Sequence, residues 1–227
     1  MLRPPMLSGS MLFEGRDLIC LRGARVVFSG LCFGLEAGGA LVLVGPNGSG
    51  KSSLLRLLSG LSRPFAGTLL WDGRPVADDP DGHRGRVRYV GHLDAVKPAL
   101  TAQENLAGWA GLQGAADPMA AAAAALERWD LGHLAEVPGR YLSAGQKRRV
   151  NLARLALAPA ALWLLDEPST ALDRAAVARL AAEIARHRRD GGMVVLSTHT
   201  DLDLTDPAVL DVSHFAVAPD DAEEPAA

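Results

Sequence analysis

Apolar positions come first in short runs broken by glycine turns, then at helical spacing, then in short runs again. Leu18–Leu21, Val26–Phe28, Leu31–Leu35 and Leu41–Val44 read as strands. Gly67–Trp71 and Val87–Val90 add two more, with Asp72-Gly73 as a tight turn between them. From about Thr101 to Arg154 the spacing is helical, including the Ala-rich stretch Pro118–Asp130 and a helix through Val150–Leu157. Buried strands return at Leu162–Leu165 and Met193–Ser197. This order predicts an α/β fold: a mixed sheet with helices, a small antiparallel β layer over residues 12–45, and an inserted α-helical subdomain at approximately 92–155. A single domain is expected over 14–217, and no internal repeat is evident.

The chemistry concentrates where these elements join. Gly45-Pro46-Asn47-Gly48-Ser49-Gly50-Lys51-Ser52 follows the apolar run Ala40–Val44 and precedes a helix beginning at Ser52-Ser53. Glycines at 45, 48 and 50 let the backbone take positive φ and turn its N–H groups inward, and the helix aims the positive end of its dipole at the same place. That is a phosphate cradle, in which Lys51 reaches the β and γ phosphates and the Ser52 hydroxyl takes a position on Mg²⁺.

A second buried strand, Ala161–Leu165, ends in Asp166-Glu167, where α/β sheets present catalytic groups. Asp166 suits Mg²⁺, through its water shell, and Glu167 suits polarising the water that attacks a γ-phosphate. A third strand, Met193–Ser197, leads to His199, which is placed to hydrogen-bond that phosphate or water. Ser143-Ala144-Gly145-Gln146 forms a polar turn opening a helix, a second anion site that a single chain does not need.

The 227 residues are 48% hydrophobic, enough for a full core without disulfides. A net charge of −3 gives no basic field for nucleic acid, so DNA and RNA are excluded as main partners. Cys20 and Cys32 fall in apolar segments with no C-x-x-C or metal spacing and read as reduced core thiols of a cytosolic protein. No run approaches the ~18 apolar residues of a membrane span. Residues 1–13 read as a flexible N-terminus lacking the apolar stretch of a signal peptide, with Met11 an alternative start, and 218–227 as an acidic disordered tail.

In combination these motifs resemble the ATP-binding subunits of ABC transporters over about residues 14–205. Gly45–Ser52 is similar to the Walker A loop, Leu142–Gln146 to the family signature with Ala144 where glycine is commoner, Leu162–Glu167 to the Walker B strand, Ala171–Asp173 to the D-loop and His199 to the switch histidine. The resemblance implies a P-loop NTPase core of the ABC ATPase type that binds ATP and Mg²⁺. It also implies a head-to-tail homodimer sharing two nucleotides, each held by the Walker A loop of one copy and the signature of the other. His92 stands at the position usually held by glutamine, and Arg22 where an aromatic residue stacks on adenine. Imidazole changes charge near neutral pH, and a guanidinium plane can stack on a base.

Softer features, Arg88–His92, Val96–Thr101, Glu104–Leu106 and Leu18–Arg22, resemble the ATP-binding subunits of haem exporters in bacterial cytochrome c maturation. That resemblance implies integral membrane transporter subunits, a place at the cytoplasmic face of the inner membrane, and haem passed to a periplasmic chaperone. An exporter subunit for another cargo, a soluble ABC-type ATPase on ribosomes or DNA, and a non-hydrolysing nucleotide module are the alternatives.

Overall fold

The computed structural model of the chain describes residues 11–217, so the expectations for residues 1–10 and for the tail 218–227 lie outside the described residues. Two long strands open the fold, β1 (Leu12–Arg22) and β2 (Arg25–Glu36). They replace the three short strands expected there. The chain does not break at Asp17, Gly15 or Gly30; it slips register around them, with Asp17 at φ +50° and Gly30 at +70°, and pairing resumes beyond each bulge. β1 also begins inside the stretch expected to be flexible, because Phe13 is wholly buried with its ring 4.5 Å from Trp71 and 5.6 Å from Phe33.

The remaining elements follow in order: β3 (Ala40–Val44), α1 (Lys51–Leu58), β4 (Ala66–Trp71), β5 (Arg74–Pro75), α2 (Pro80–Arg86), β6 (Val87–Val90), α3 (Ala102–Leu112), α4 (Pro118–Arg128), α5 (Ala144–Ala153), β7 (Leu162–Asp166), α6 (Arg174–Arg189), β8 (Met193–Ser197) and β9 (Ala208–Asp211). β2-β1-β4-β5 form an antiparallel sheet, and β6-β7-β8-β3-β9 a parallel one. The α/β class and a small antiparallel layer are as the apolar pattern predicts, but the layer does not run over 12–45: β3 pairs in the parallel sheet, and β4 and β5 complete the antiparallel one.

Continuous apolar runs serve β7 and β8 because both faces of the parallel sheet are covered. Leu162, Leu164, Met193 and Val195 join one core cluster with α1 and the antiparallel sheet. Trp163, Leu165, Val194 and Leu196, the alternate residues, join a second cluster with α3, α4, α5 and α6. α3 and α5 each start with a capping box, Thr101 with Glu104 and Ser143 with Gln146. α4 starts with Asp117 as cap and Pro118 in its first turn. α5 is shorter than expected, tightening into a 3₁₀ turn at Arg154–Ala156.

Cys32 corrects the reading of two core thiols. Cys20 is buried, but Cys32 is exposed, because it alternates with buried Leu31 on a strand covered on one face only.

The α6 residue His187 lies flat on Trp163, ring centroids 3.9 Å apart and planes 3° from parallel, with Nε2 bonded 3.2 Å from the Met193 carbonyl oxygen. Burial favours the neutral ring and lowers its pKa to about 4. Buried His83, bridging Trp71 Nε1 and the Leu58 carbonyl, shifts in the same direction for the same reason. The unfolded chain therefore binds these protons first, so stability is full above the ordinary histidine value and falls as pH drops from about 6.5 toward 4. His187 alone contributes roughly 3 kcal/mol across that window. Urea unfolding at pH 7.5 and 4.5 should show a smaller pH difference for His187→Phe, which keeps a flat ring on Trp163, than for wild type.

Candidate functional site

β3, β8 and β7 are neighbours in the sheet, and their carboxyl ends carry Gly45–Gly50, Ser197–His199 and Asp166-Glu167 respectively. Strand order thus brings three distant segments to one edge. Gly45, Gly48 and Gly50 take φ of +125°, +86° and +105°, so the loop curls as its glycines require. Pro46, Asn47 and Gly48 are exposed at its crest, while Ser49, Gly50 and Lys51 are buried. Lys51 Nζ donates to the carbonyls of Gly45 (2.6 Å) and Pro46 (3.1 Å), which holds the ammonium under the crest. Ser53, half-buried, follows on the first turn of α1. Asp211, at the end of β9, supports the loop: a Cβ on Gly45 would lie 3.1 Å from its Oδ1. Bonds from the Ser213 hydroxyl and N–H hold the Asp211 carboxyl below its usual pKa.

Ser52 Oγ donates to Asp166 Oδ1 at 3.0 Å, and Ser197 Oγ donates to the same oxygen at 2.8 Å. Asp166 is 2% exposed, so this carboxylate is fixed by two hydroxyls from two other elements. The next residue, Glu167, sits at φ +48°, a left-handed conformation that costs an L residue about 1–2 kcal/mol. Its N–H is held by Ser197, at 3.0 Å from the carbonyl and 3.2 Å from the hydroxyl. The turn aims the carboxylate at His199, with Glu167 Oε1 3.5 Å from Nε2.

Ser143, Ala144, Gly145 and Gln146 form the N-terminus of α5. Ser143 Oγ accepts from Gln146 N at 3.2 Å, and Gln146 Oε1 accepts from Ser143 N at 2.8 Å. Ser143 and Ala144 are exposed, and the chain's own hydrogen bonds do not join this turn to the glycine loop. Gly145 packs against the D-loop segment: a Cβ there would stand 2.7 Å from the Ala171 carbonyl oxygen. Asp173 caps α6 through Ala176 N. His92 is exposed on the segment after β6, joined to the site through its carbonyl, not its imidazole. Arg22 is exposed at the end of β1, opposite Arg25; farther along β2, Val27 lies beside Gly50.

Two residues that the sequence did not flag are built into the site. Ser197 is the link between Asp166 and Glu167, and its signal was only its place just before Thr198-His199. Arg148 binds the main chain at the end of β7, hidden in a basic triplet, Lys147-Arg148-Arg149, just after the polar turn. The cue for it is its helical spacing to buried Leu152 and Leu155.

Among the described residues no helix is long and apolar enough to cross a membrane. Among them, too, no group of three His, Cys, Asp or Glu is placed to hold a metal. The family model for ABC transporters matches residues 28–170, taking in the glycine loop, the Ser143 turn and Asp166-Glu167. The chain belongs to the ABC transporter family.

Its relatives include two named as cytochrome c biogenesis ATP-binding export proteins CcmA. The Rhodospirillum rubrum protein is 57% identical, covering 96% of this chain and 95% of its own. The Escherichia coli protein is 43% identical over 89% and 96%. Among solved structures, the ATP-binding subunit of an ABC transporter superposes with a TM-score of 0.74 at 27% identity, covering 83% of this chain and 79% of its own. A Pyrococcus furiosus protein reaches 0.77 at 25% identity, over 91% and 100%. The family model ends before β8, so Ser197 and His199 lie beyond the matched residues; geometry alone brings them beside Asp166 and Glu167.

Proposed function

We propose that this chain is the ATP-hydrolysing subunit of an ABC transporter serving cytochrome c biogenesis, with haem export or haem release to a periplasmic chaperone as the coupled work. The observation that carries the reading is the convergence of Lys51, Ser52, Asp166, Glu167, Ser197 and His199 on one sheet edge, in a chain 57% identical to a cytochrome c biogenesis export protein. Relatives of that name, matched along nearly their whole length, favour it over a soluble ABC ATPase or another cargo.

The curled loop Gly45–Gly50 and Lys51 bind the triphosphate, with Ser53 beside them and Arg22 stacking on the base. Ser52 Oγ and Asp166 Oδ1 are hard oxygens 3.0 Å apart, suited to hold Mg²⁺ beside phosphates, Asp166 through the ion's water shell. Held there with the nucleotide, Mg²⁺ would supply neutralisation of phosphate charge. Glu167 orients a water molecule and takes its proton as the water attacks the γ-phosphorus, while the bond to the bridging oxygen breaks and ADP leaves. His199 steadies that carboxylate and reaches the phosphate, and His92 hydrogen-bonds from the segment leading into the helices. The general base needs a fixed carboxylate, which Ser197 and the left-handed turn supply.

The Ser143–Gln146 turn, exposed at Ser143 and Ala144, serves the nucleotide of a second copy, since it opens a helix whose hydrogen bonds do not join it to the chain's own glycine loop. Closure of two copies on ATP, and reopening after hydrolysis, drives the membrane subunits through the surface near residues 92–105, at the cytoplasmic face of the inner membrane.

Sedimentation of Glu167→Gln with and without Mg-ATP tests this shared site. A nucleotide-dependent dimer that Ser143→Arg abolishes is the expected result. A monomer at every nucleotide concentration removes the shared site.

A further inference from the structure

The guanidinium of Arg148 is 2% exposed and surrounded by main-chain oxygens. Nε donates to Pro168 O (3.2 Å), while Nη2 donates to Asp166 O (2.9 Å) and Glu167 O (2.7 Å). Nη1 turns the other way, to Gly91 O (2.9 Å), His92 O (3.4 Å) and Asp94 Oδ1 (3.3 Å). One planar group therefore spans two segments far apart in sequence: the end of β7, and the strand exit that carries His92.

The three oxygens on the first side belong to Asp166, Glu167 and Pro168, which bracket the left-handed residue. Turning Glu167 back to the extended region would rotate its carbonyl and the neighbouring peptide planes away from Arg148. The guanidinium thus favours the φ +48° form, just as Ser197 does from the N–H side. A fixed fork of donors suits this arrangement; an ammonium, a single point charge, does not. Asp94, partly exposed, supplies the buried cation's counter-charge.

We infer that Arg148 is a positioning residue of the hydrolytic site: it holds the Glu167 turn in the conformation that aims the carboxylate at His199, and it ties that turn to the 91–94 segment. The inference rests on the reading of Glu167 as the base. It makes α5 a strut between the signature turn at its start and the catalytic strand beside its middle. When the 91–94 segment shifts with the helices, Arg148 transmits the shift to Glu167.

The test uses purified full-length Arg148→Gln and Arg148→Lys with Mg-ATP. Expected is a fall in kcat of about 30-fold for Gln and about 10-fold for Lys, with KM and the Kd for a non-hydrolysable ATP analogue within about threefold of wild type. In the Glu167→Gln background, adding Arg148→Gln should leave the single-turnover rate unchanged within about twofold, because the group it positions is already disabled. A purely structural staple gives a different pattern: affinity falls in step with kcat, and the double variant slows by the full factor of the single. Either result overturns the inference, as does kcat within about twofold of wild type in a folded Arg148 variant. Should Arg148→Gln not fold, Arg148→Lys, which keeps the charge and the stem, carries the same kcat-against-affinity comparison. Glu167→Gln alone separates the two ideas: wild-type turnover there removes the base assignment and the inference with it, whereas a slow Glu167→Gln beside a fast Arg148→Lys removes the strut alone.

Discussion

Glu167→Gln is expected to slow steady-state ATP turnover by at least about 100-fold while leaving the Kd for Mg-ATP within about threefold. The amide keeps the size of the side chain and its bonds through the backbone N–H to Ser197, so the turn at φ +48° persists. What disappears is the capacity to take a proton from water. His199, 3.5 Å from the carboxylate and well exposed, does not replace it, because its assigned contacts are to that carboxylate and the phosphate, not to the attacking water. Rapid-quench turnover and a fluorescent-nucleotide titration on the same sample separate the two constants. Turnover within about tenfold of wild type would move the base elsewhere.

Gly50→Ala is expected to weaken nucleotide binding by about 100-fold and to lower stability by about 2–4 kcal/mol. Gly50 is the cap of α1 and sits at φ +105°, where an L side chain is strained. A Cβ there would stand 2.8 Å from Val27 Cγ1 and 3.1 Å from Phe28 Cδ1, so the β2 hairpin would have to give way. The loop N–H groups and Lys51 share this backbone, so relief of the strain turns donors away from the phosphates. Gly48→Ala is the control: φ is +86°, but no atom lies within 4 Å of its Cβ, so only the backbone strain remains. Thermal melts and nucleotide titration of both variants give the comparison, and equal losses would assign the effect to φ alone.

The parts of the fold visible in the sequence were those fixed by local pattern. Apolar runs located β3, β7 and β8 almost to the residue, since a strand buried on both faces has no polar interruption. Glycine spacing located the phosphate loop, because positive φ at three positions leaves few other residues possible. Bulged strands were illegible: a register slip looks like a strand end when only composition is read, which split β2 in two and made Cys32 seem a core thiol. Arg148 was invisible for a different reason. All its partners but Asp94 are main-chain oxygens from two remote segments, and carbonyls carry no side-chain signature.

α5 also sets how far a message must travel. Ser143 and Arg148 stand on the same short rigid rod, little more than one helical turn apart, roughly 8 Å at the usual rise. If a second copy docks on the rod's tip as proposed, its push would reach the Glu167 turn with almost no slack between them. In the proposed two-copy assembly, signalling between copies would therefore need neither a long relay nor a large motion.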